Sequence, residues 1–303
     1  VTSPFAYAPR PTPLGRAGAG AAALHLWSFA AIAFIVANPI VLAGCAVAVA
    51  IAGIAAGAGR ALVVAARWGA TLGAVIVAVN VIAAQRGDTI LVRGPDLPVL
   101  GTVDISAEAL AEGAVLALRI AIVFAAFAVH TACVDPDRLL RIARPVARRS
   151  ALTATLIARL APLAASDHAQ VREAVALRGP GAAPVGRAAL LRRLVAGSLD
   201  RAVDVAATLE LRGYTGDAPG GATRQPRAPG DLAFALSGLA ALAVVAAARL
   251  AGVASYESYP LVSVAADPAT LALAAALPAA ALAPLALARV RARRVPAIRY
   301  AHA

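Results

Sequence analysis

Lysine is absent from this chain of 303 residues, and so is methionine. The missing lysine removes two chemistries. A phosphate-binding loop of the form G-x-x-x-x-G-K-[ST] needs that side chain to reach the phosphates, so the chain holds no such ATP site. Covalent catalysis through a lysine amine is excluded as well. Cysteine is scarce: Cys45 and Cys133 lie in apolar runs without C-x-x-C spacing, which is neither a disulfide framework nor a metal site. Four scattered histidines (His25, His130, His168, His302) argue against a dedicated transition-metal pathway. No cofactor or metal site is therefore expected in this chain.

Charge is also sparse and unevenly spread. Charged residues make up 15% of the chain and apolar residues 61%, whereas soluble domains carry about 25% charged residues. Six runs are almost free of charge: Ala21 to Ala37, Ile40 to Ala58, Ala61 to Ala84, Gly113 to Ala132, Asp231 to Gly252 and Ala269 to Ala288. At ~1.5 Å rise per residue such runs match a hydrocarbon core of ~30 Å. Asn38-Pro39 separates the first two and reads as a tight helical hairpin. The pattern predicts an all-α, polytopic protein of the lipid bilayer with about six transmembrane helices.

The basic residues that are present, all arginine, give a net charge of +12. With the N-terminus inside, 24 of the 28 arginines fall in segments on one side: the N-terminal arm, the turn at Arg60 and Arg67, the connection between spans four and five, and the C-terminal tail. The loop from Gln85 to Glu112 sets Arg86 and Arg93 against Asp88, Asp96, Asp104, Glu108 and Glu112, and the last loop carries Glu257 and Asp267. By the positive-inside rule both termini and the long connection are cytoplasmic, and the chain is a multi-pass protein of the cell membrane. The expected organisation is a disordered Pro- and Gly-rich arm (1–20), spans one to four (21–134), a cytoplasmic helical region (135–230), spans five and six (231–288) and a basic tail (289–303). Arg119 lies inside span four, where an arginine costs ~2.5–3.5 kcal/mol on insertion scales, which marks it as a possible functional residue. The structural alternative is that it snorkels outward or bonds a backbone carbonyl.

The cytoplasmic region reads as helices with defined ends. Asp135-Pro136-Asp137 starts the first, with Asp as cap, Pro in the first turn and a second Asp at the positive dipole end. A second runs from about Ser150 to Arg178, with Leu152, Leu156, Leu160, Leu163, Val171 and Val175 on one side, and stops at Gly179-Pro180. A third runs from about Arg187 to Arg212. Leu191, Leu194, Val195, Leu199, Ala202, Ala206 and Leu209 line one face, and Arg193, Asp200, Arg201, Asp204 and Arg212 the other. The polar stripe excludes a span and fits an amphipathic helix at the membrane surface or under the bundle. Two helix ends are alike: Leu177-Arg178-Gly179 and Leu211-Arg212-Gly213. A single copy would be a glycine cap with an arginine complementing the dipole. Two copies on consecutive helices present two forked donors suited to carboxylates on another protein.

These residues resemble the transmembrane (T) component of energy-coupling factor transporters, importers of vitamins and of cobalt or nickel ions. The resemblance runs from the Asn38-Pro39 hairpin to about Tyr214. It takes in Val134-Asp135-Pro136-Asp137-Arg138-Leu139-Leu140, the Pro162 helix, the Ala174 to Gly179 ending and, most specifically, Leu209-Glu210-Leu211-Arg212-Gly213-Tyr214. It implies two crossing coupling helices whose terminal arginines, here Arg178 and Arg212, each enter a groove on one of two cytoplasmic ABC ATPase subunits. ATP would be bound by those partners. A small substrate-binding membrane subunit would carry the cargo, and this chain would be a permease-like coupling subunit, not an enzyme. Leu177 and Leu211 replace the alanine commoner in the family.

Two rivals belong to other classes. A polytopic lipid-modifying transferase needs clustered carboxylates for Mg²⁺ and diphosphate; the one close pair at a membrane edge, Asp135 and Asp137, is explained as a helix start. A conventional ABC importer permease would normally present one short coupling helix per chain. A nucleic-acid role is disfavoured, because the arginines follow helix faces and topology with few aromatics among them.

Overall fold

Helices form where the apolar runs stand. The computed structural model describes residues 7, 9–84, 87–93, 96–97, 101–102, 104–143, 163, 165–177, 186–211 and 230–294. In chain order its helices are α1 (Pro13–Arg16), α2 (Ala19–Ile35), α3 (Pro39–Ala55), α4 (Gly59–Ala83), α5 (Ala107–Cys133), α6 (Pro136–Ala143), α7 (residues 165–176), α8 (Arg187–Leu211), α9 (Asp231–Leu250) and α10 (Pro268–Arg294). Four of these, α4, α5, α9 and the 268–288 part of α10, are long and apolar enough to cross a membrane, and α2 and α3 are shorter apolar helices. Short antiparallel pairs decorate two loops: β1 (Ile90–Val92) with β4 (Ile105–Ser106), β2 (Asp96–Leu97) with β3 (Gly101–Thr102), and β5 (Tyr256–Glu257) with β6 (Ser263–Val264). The chain divides into two units, residues 1–136 with 227–303, and residues 137–226.

In the first unit α2 packs chiefly on α9, α3 on α10, and α4 on α5. Phe29, Ile32, Val41, Leu42, Val49, Ile122, Val245 and Leu277 meet in its core. Lipid tails are as apolar as leucine, so close packing of small residues has to hold such helices together. The α4–α5 seam does this with Gly69 and Gly73 against Ala121 and Ala117, and with Gly113 against Val77. A Cβ on Gly73 would stand 3.0 Å from that of Ala117. Gly69-x-x-x-Gly73 is legible as a packing motif that the sequence reading passed over. The α3–α10 seam is tighter still, since a Cβ on Gly44 would collide with the carbonyl of Ala274.

The α2–α3 break follows the Asn38-Pro39 signal. Asn38 Oδ1 accepts from the Ile40 amide at 2.9 Å and caps α3, with Pro39 at its first position. Its amide Nδ2 donates to the carbonyls of Ser255 and Ala265, at 3.1 and 2.9 Å, which fixes the α9–α10 loop against the hairpin.

Two elements differ from expectation. Helix α5 starts at Ala107, not near Gly113, because Ser106 Oγ caps it by accepting from the Ala109 amide at 3.2 Å. Glu108 and Glu112, assigned above to the loop, therefore lie in its first turns. Glu108 is buried, Gly87 packs against its carboxylate, and Oε1 accepts from the Thr89 amide at 3.2 Å. Within the arm expected to be disordered, residues 9–18 carry defined contacts. Thr12 caps α1, and Leu14 is 1% exposed.

Gly44→Val should destabilise the purified protein by about 1–3 kcal/mol through overpacking, measured as unfolding in detergent. Ala43→Val, at the exposed neighbour, should leave the transition where it is.

Candidate functional site

The second unit holds the residues singled out for docking. Among the described residues, α7 covers the later part of the second predicted helix and α8 nearly all of the third. Within α7 the half-buried positions are Asp167, Val171 and Val175, one turn apart. Within α8 they are Leu190, Leu194, Arg201, Val205 and Leu209. An ion pair ties the two helices: Arg201 Nη1 and Nη2 donate to the two carboxylate oxygens of Asp167 at 2.7 and 3.3 Å. Both side chains stay about a third exposed, at 35% and 29%. These hydrogen bonds hold the Asp167 carboxyl below its ordinary value and raise that of Arg201, with desolvation opposing both shifts. Arg201 was placed on a solvated stripe by sequence. It is instead half-covered and paired, so the polar face of α8 is also a contact face.

The position of this pair is informative. Asp167 lies eleven residues before Arg178, and Arg201 lies eleven residues before Arg212. At ~1.5 Å per residue a helix covers about 16 Å in that interval. The cross-link therefore sits at the same sequence distance from both Leu-Arg-Gly ends. Leu177 is 81% and Leu211 88% exposed, so each described helix end shows a bare leucine. Arg178, Gly179, Arg212 and Gly213 lie outside the described residues. So does the first part of the second predicted helix, from Ser150 to Pro162.

The apolar surface of α8 divides in two. Leu194, Val205 and Leu209 are half-covered, whereas Leu191, Val195, Leu199 and Val203 recur every four residues and stay exposed. A bare leucine and valine stripe on a helix too charged to span a bilayer is the kind of surface that another apolar surface covers.

Arg119 has a defined contact. Its Nη2 donates to the carbonyl of Val36 at 3.1 Å. Val36 is the C-cap of α2, and the last carbonyls of a helix have no partner within it. A cation there also complements the negative end of the helix dipole. Arg119 thus closes the end of α2 beside the Asn38 break. Its Nε is buried without a partner.

Among the described residues no group of three or more His, Cys, Asp or Glu could hold a metal ion. The arrangement suits mechanical contact between helices.

An all-α bundle of apolar helices, with a charged helical unit inserted between two of them, defines a multi-pass membrane transport protein. The chain belongs to the cobalt transport protein family CbiQ, whose family model matches residues 12–221. That interval includes the first four apolar helices and both Leu-Arg-Gly ends. A comparison with curated proteins finds no match.

Two substitutions separate the roles of these arginines. Arg119→Leu should leave the Val36 carbonyl unpaired and cost about 1–3 kcal/mol of stability, with transport per folded molecule unchanged. Asp167→Arg and Arg201→Asp should each loosen α7 from α8, and the double swap should restore their contact, read by cross-linking between the helices. The pair should be insensitive to pH near neutrality. Its contribution is present above the ordinary carboxylate range and is lost as pH falls through the lowered value of Asp167.

Proposed function

We propose that this chain is the transmembrane coupling subunit of an importer of the energy-coupling factor type, working with partner ATPases to import cobalt. The observation that carries the reading is the α7–α8 cross-link, set eleven residues before each of two Leu-Arg-Gly sequences whose leucines, Leu177 and Leu211, are exposed. Two helices tied through this pair would act as a pair of levers. Arg178 and Arg212 are the docking residues, flanked by Leu177, Gly179, Leu211 and Gly213. Each guanidinium enters a carboxylate-lined groove on one of two cytoplasmic ABC ATPases. Both termini and the inserted unit are cytoplasmic, on the arginine distribution.

The chain has no lysine for a P-loop, so the partners bind and hydrolyse ATP. Closing of the ATPase pair moves the two tips together. The cross-link converts that motion into a change of angle between α7 and α8. The exposed stripe of Leu191, Val195, Leu199 and Val203 bears on a small membrane subunit that holds the cargo. Cobalt is that subunit's substrate.

Arg178→Glu and Arg212→Glu test the reading. Each should reduce ATPase capture in mild detergent by about tenfold or more, and the double variant should abolish cobalt uptake in cells. Undiminished capture and uptake by the double variant would sink the docking claim. Uptake by this chain with ATPases alone would instead make it a conventional permease.

A further inference from the structure

The N-terminal arm reaches both points where the first unit connects to the second. The chain leaves the first unit just after α5 ends at Cys133 and returns just before α9 begins at Asp231. Arg10 Nη1 lies 3.7 Å from Cys133 Sγ, in hydrogen-bonding contact, and that thiol reaches on to the Ala56 carbonyl at 3.8 Å. Eight residues later the Gly18 amide donates to Asp231 Oδ1 at 2.6 Å. Between these contacts, Leu14 is buried in a cluster with Ala56, Ala58, Cys133, Val134, Phe234 and Leu285. Val134 belongs to the departing strand and Phe234 to the first turn of the returning helix. One buried cluster thus holds the leucine together with residues from both.

The arm is built for this position. Thr12 Oγ1 accepts from the Gly15 amide at 3.2 Å, and the Arg16 amide donates to the Thr12 carbonyl at 3.0 Å. This turn aims Leu14 inward. Gly15 and Gly18 have no room for a side chain, because a Cβ would stand 2.6 Å from the Arg10 carbonyl and 2.7 Å from the Asp231 carboxylate.

We propose that residues 9–18 are a strap that holds the two roots of the inserted unit at fixed spacing, with Arg10 and Leu14 as positioning residues for energy coupling. A lever transmits force only if its mounting resists. If the ends of α5 and α9 could separate, motion of the inserted unit would be absorbed at its roots before reaching the membrane subunit. The strap opposes this with a buried apolar side chain and two polar ties. Its effect on transport rests on the coupling role proposed above; its effect on the roots does not.

The test uses the full chain, with and without its ATPases, in lipid nanodiscs. The variants are Leu14→Ser and, as a milder change that keeps the buried leucine, Arg10→Ala. Amide exchange is followed at residues 131–136, 230–235 and, as a control, 120–126. Leu14→Ser should speed exchange at both roots by on the order of tenfold and leave the control segment unchanged. Arg10→Ala should speed it at 131–136 only. ATPase capture should be retained, while cobalt imported per ATP hydrolysed falls. Faster exchange confined to the arm, with both roots as in the parent, overturns the strap. Faster exchange at the roots with undiminished import per ATP overturns its coupling role. If the parent chain captures no ATPase, the coupling reading fails and root exchange alone decides the strap.

Discussion

A helix that ends inside or beside hydrocarbon must satisfy its last carbonyls without water, and the α2–α3 break is where this chain meets that constraint. The break holds because two side chains from distant parts of the sequence are spent on it. Asn38 caps α3 and grips both strands of the α9–α10 loop. Arg119 reaches from α5 to the Val36 carbonyl. Three connections are thereby referred to one short stretch of backbone: the first hairpin, the fifth helix and the last loop. The hairpin joins two helices that rest on different partners, α2 on α9 and α3 on α10. The cost of an intramembrane arginine is the cost of closing that hairpin.

Small residues do the remaining work of association. Where Gly69 and Gly73 face Ala121 and Ala117, backbones approach closely enough for dispersion to replace the hydrophobic effect. The same logic applies where Gly238 meets the backbone of His25 in the α2–α9 seam. There a polar contact is added, His25 Nδ1 to Ser237 Oγ at 3.0 Å. The Ser237 hydroxyl also faces the Phe234 carbonyl at 3.0 Å. A hydroxyl has one proton, so donating it to that carbonyl leaves an oxygen lone pair for an imidazole N–H.

The spans were legible because hydropathy is an average over about twenty residues and survives local errors. The Asn38-Pro39 break was legible because capping and fixed φ act within two residues. The start of α5 was misread for a related reason: Glu108 looked like loop chemistry, whereas a serine cap and a backbone amide from Thr89 make a carboxylate acceptable there. Arg201 was misread because a helical wheel shows which residues share a face and not what stands opposite. Its partner, Asp167, is 34 positions away. Proline and glycine signal both disorder and tight packing, and at residues 9–18 the burial of Leu14 decides between them. The candidate docking ends were legible only as a repeat.

A surface ion pair adds little to stability, because solvent screens it and two side chains lose freedom to make it. The Asp167–Arg201 bond is of that kind, with each partner about a third exposed. Its usefulness is geometric. A forked guanidinium meeting both oxygens of a carboxylate resists rotation better than a single contact does, yet it can be remade after a small displacement. A pivot between two helices needs that combination. Burying the pair would lock the helices in one arrangement, and removing it would let them slide. On the coupling reading, the chain keeps its stability in the membrane bundle and its strap, and leaves the moving junction to a half-covered, reversible bond.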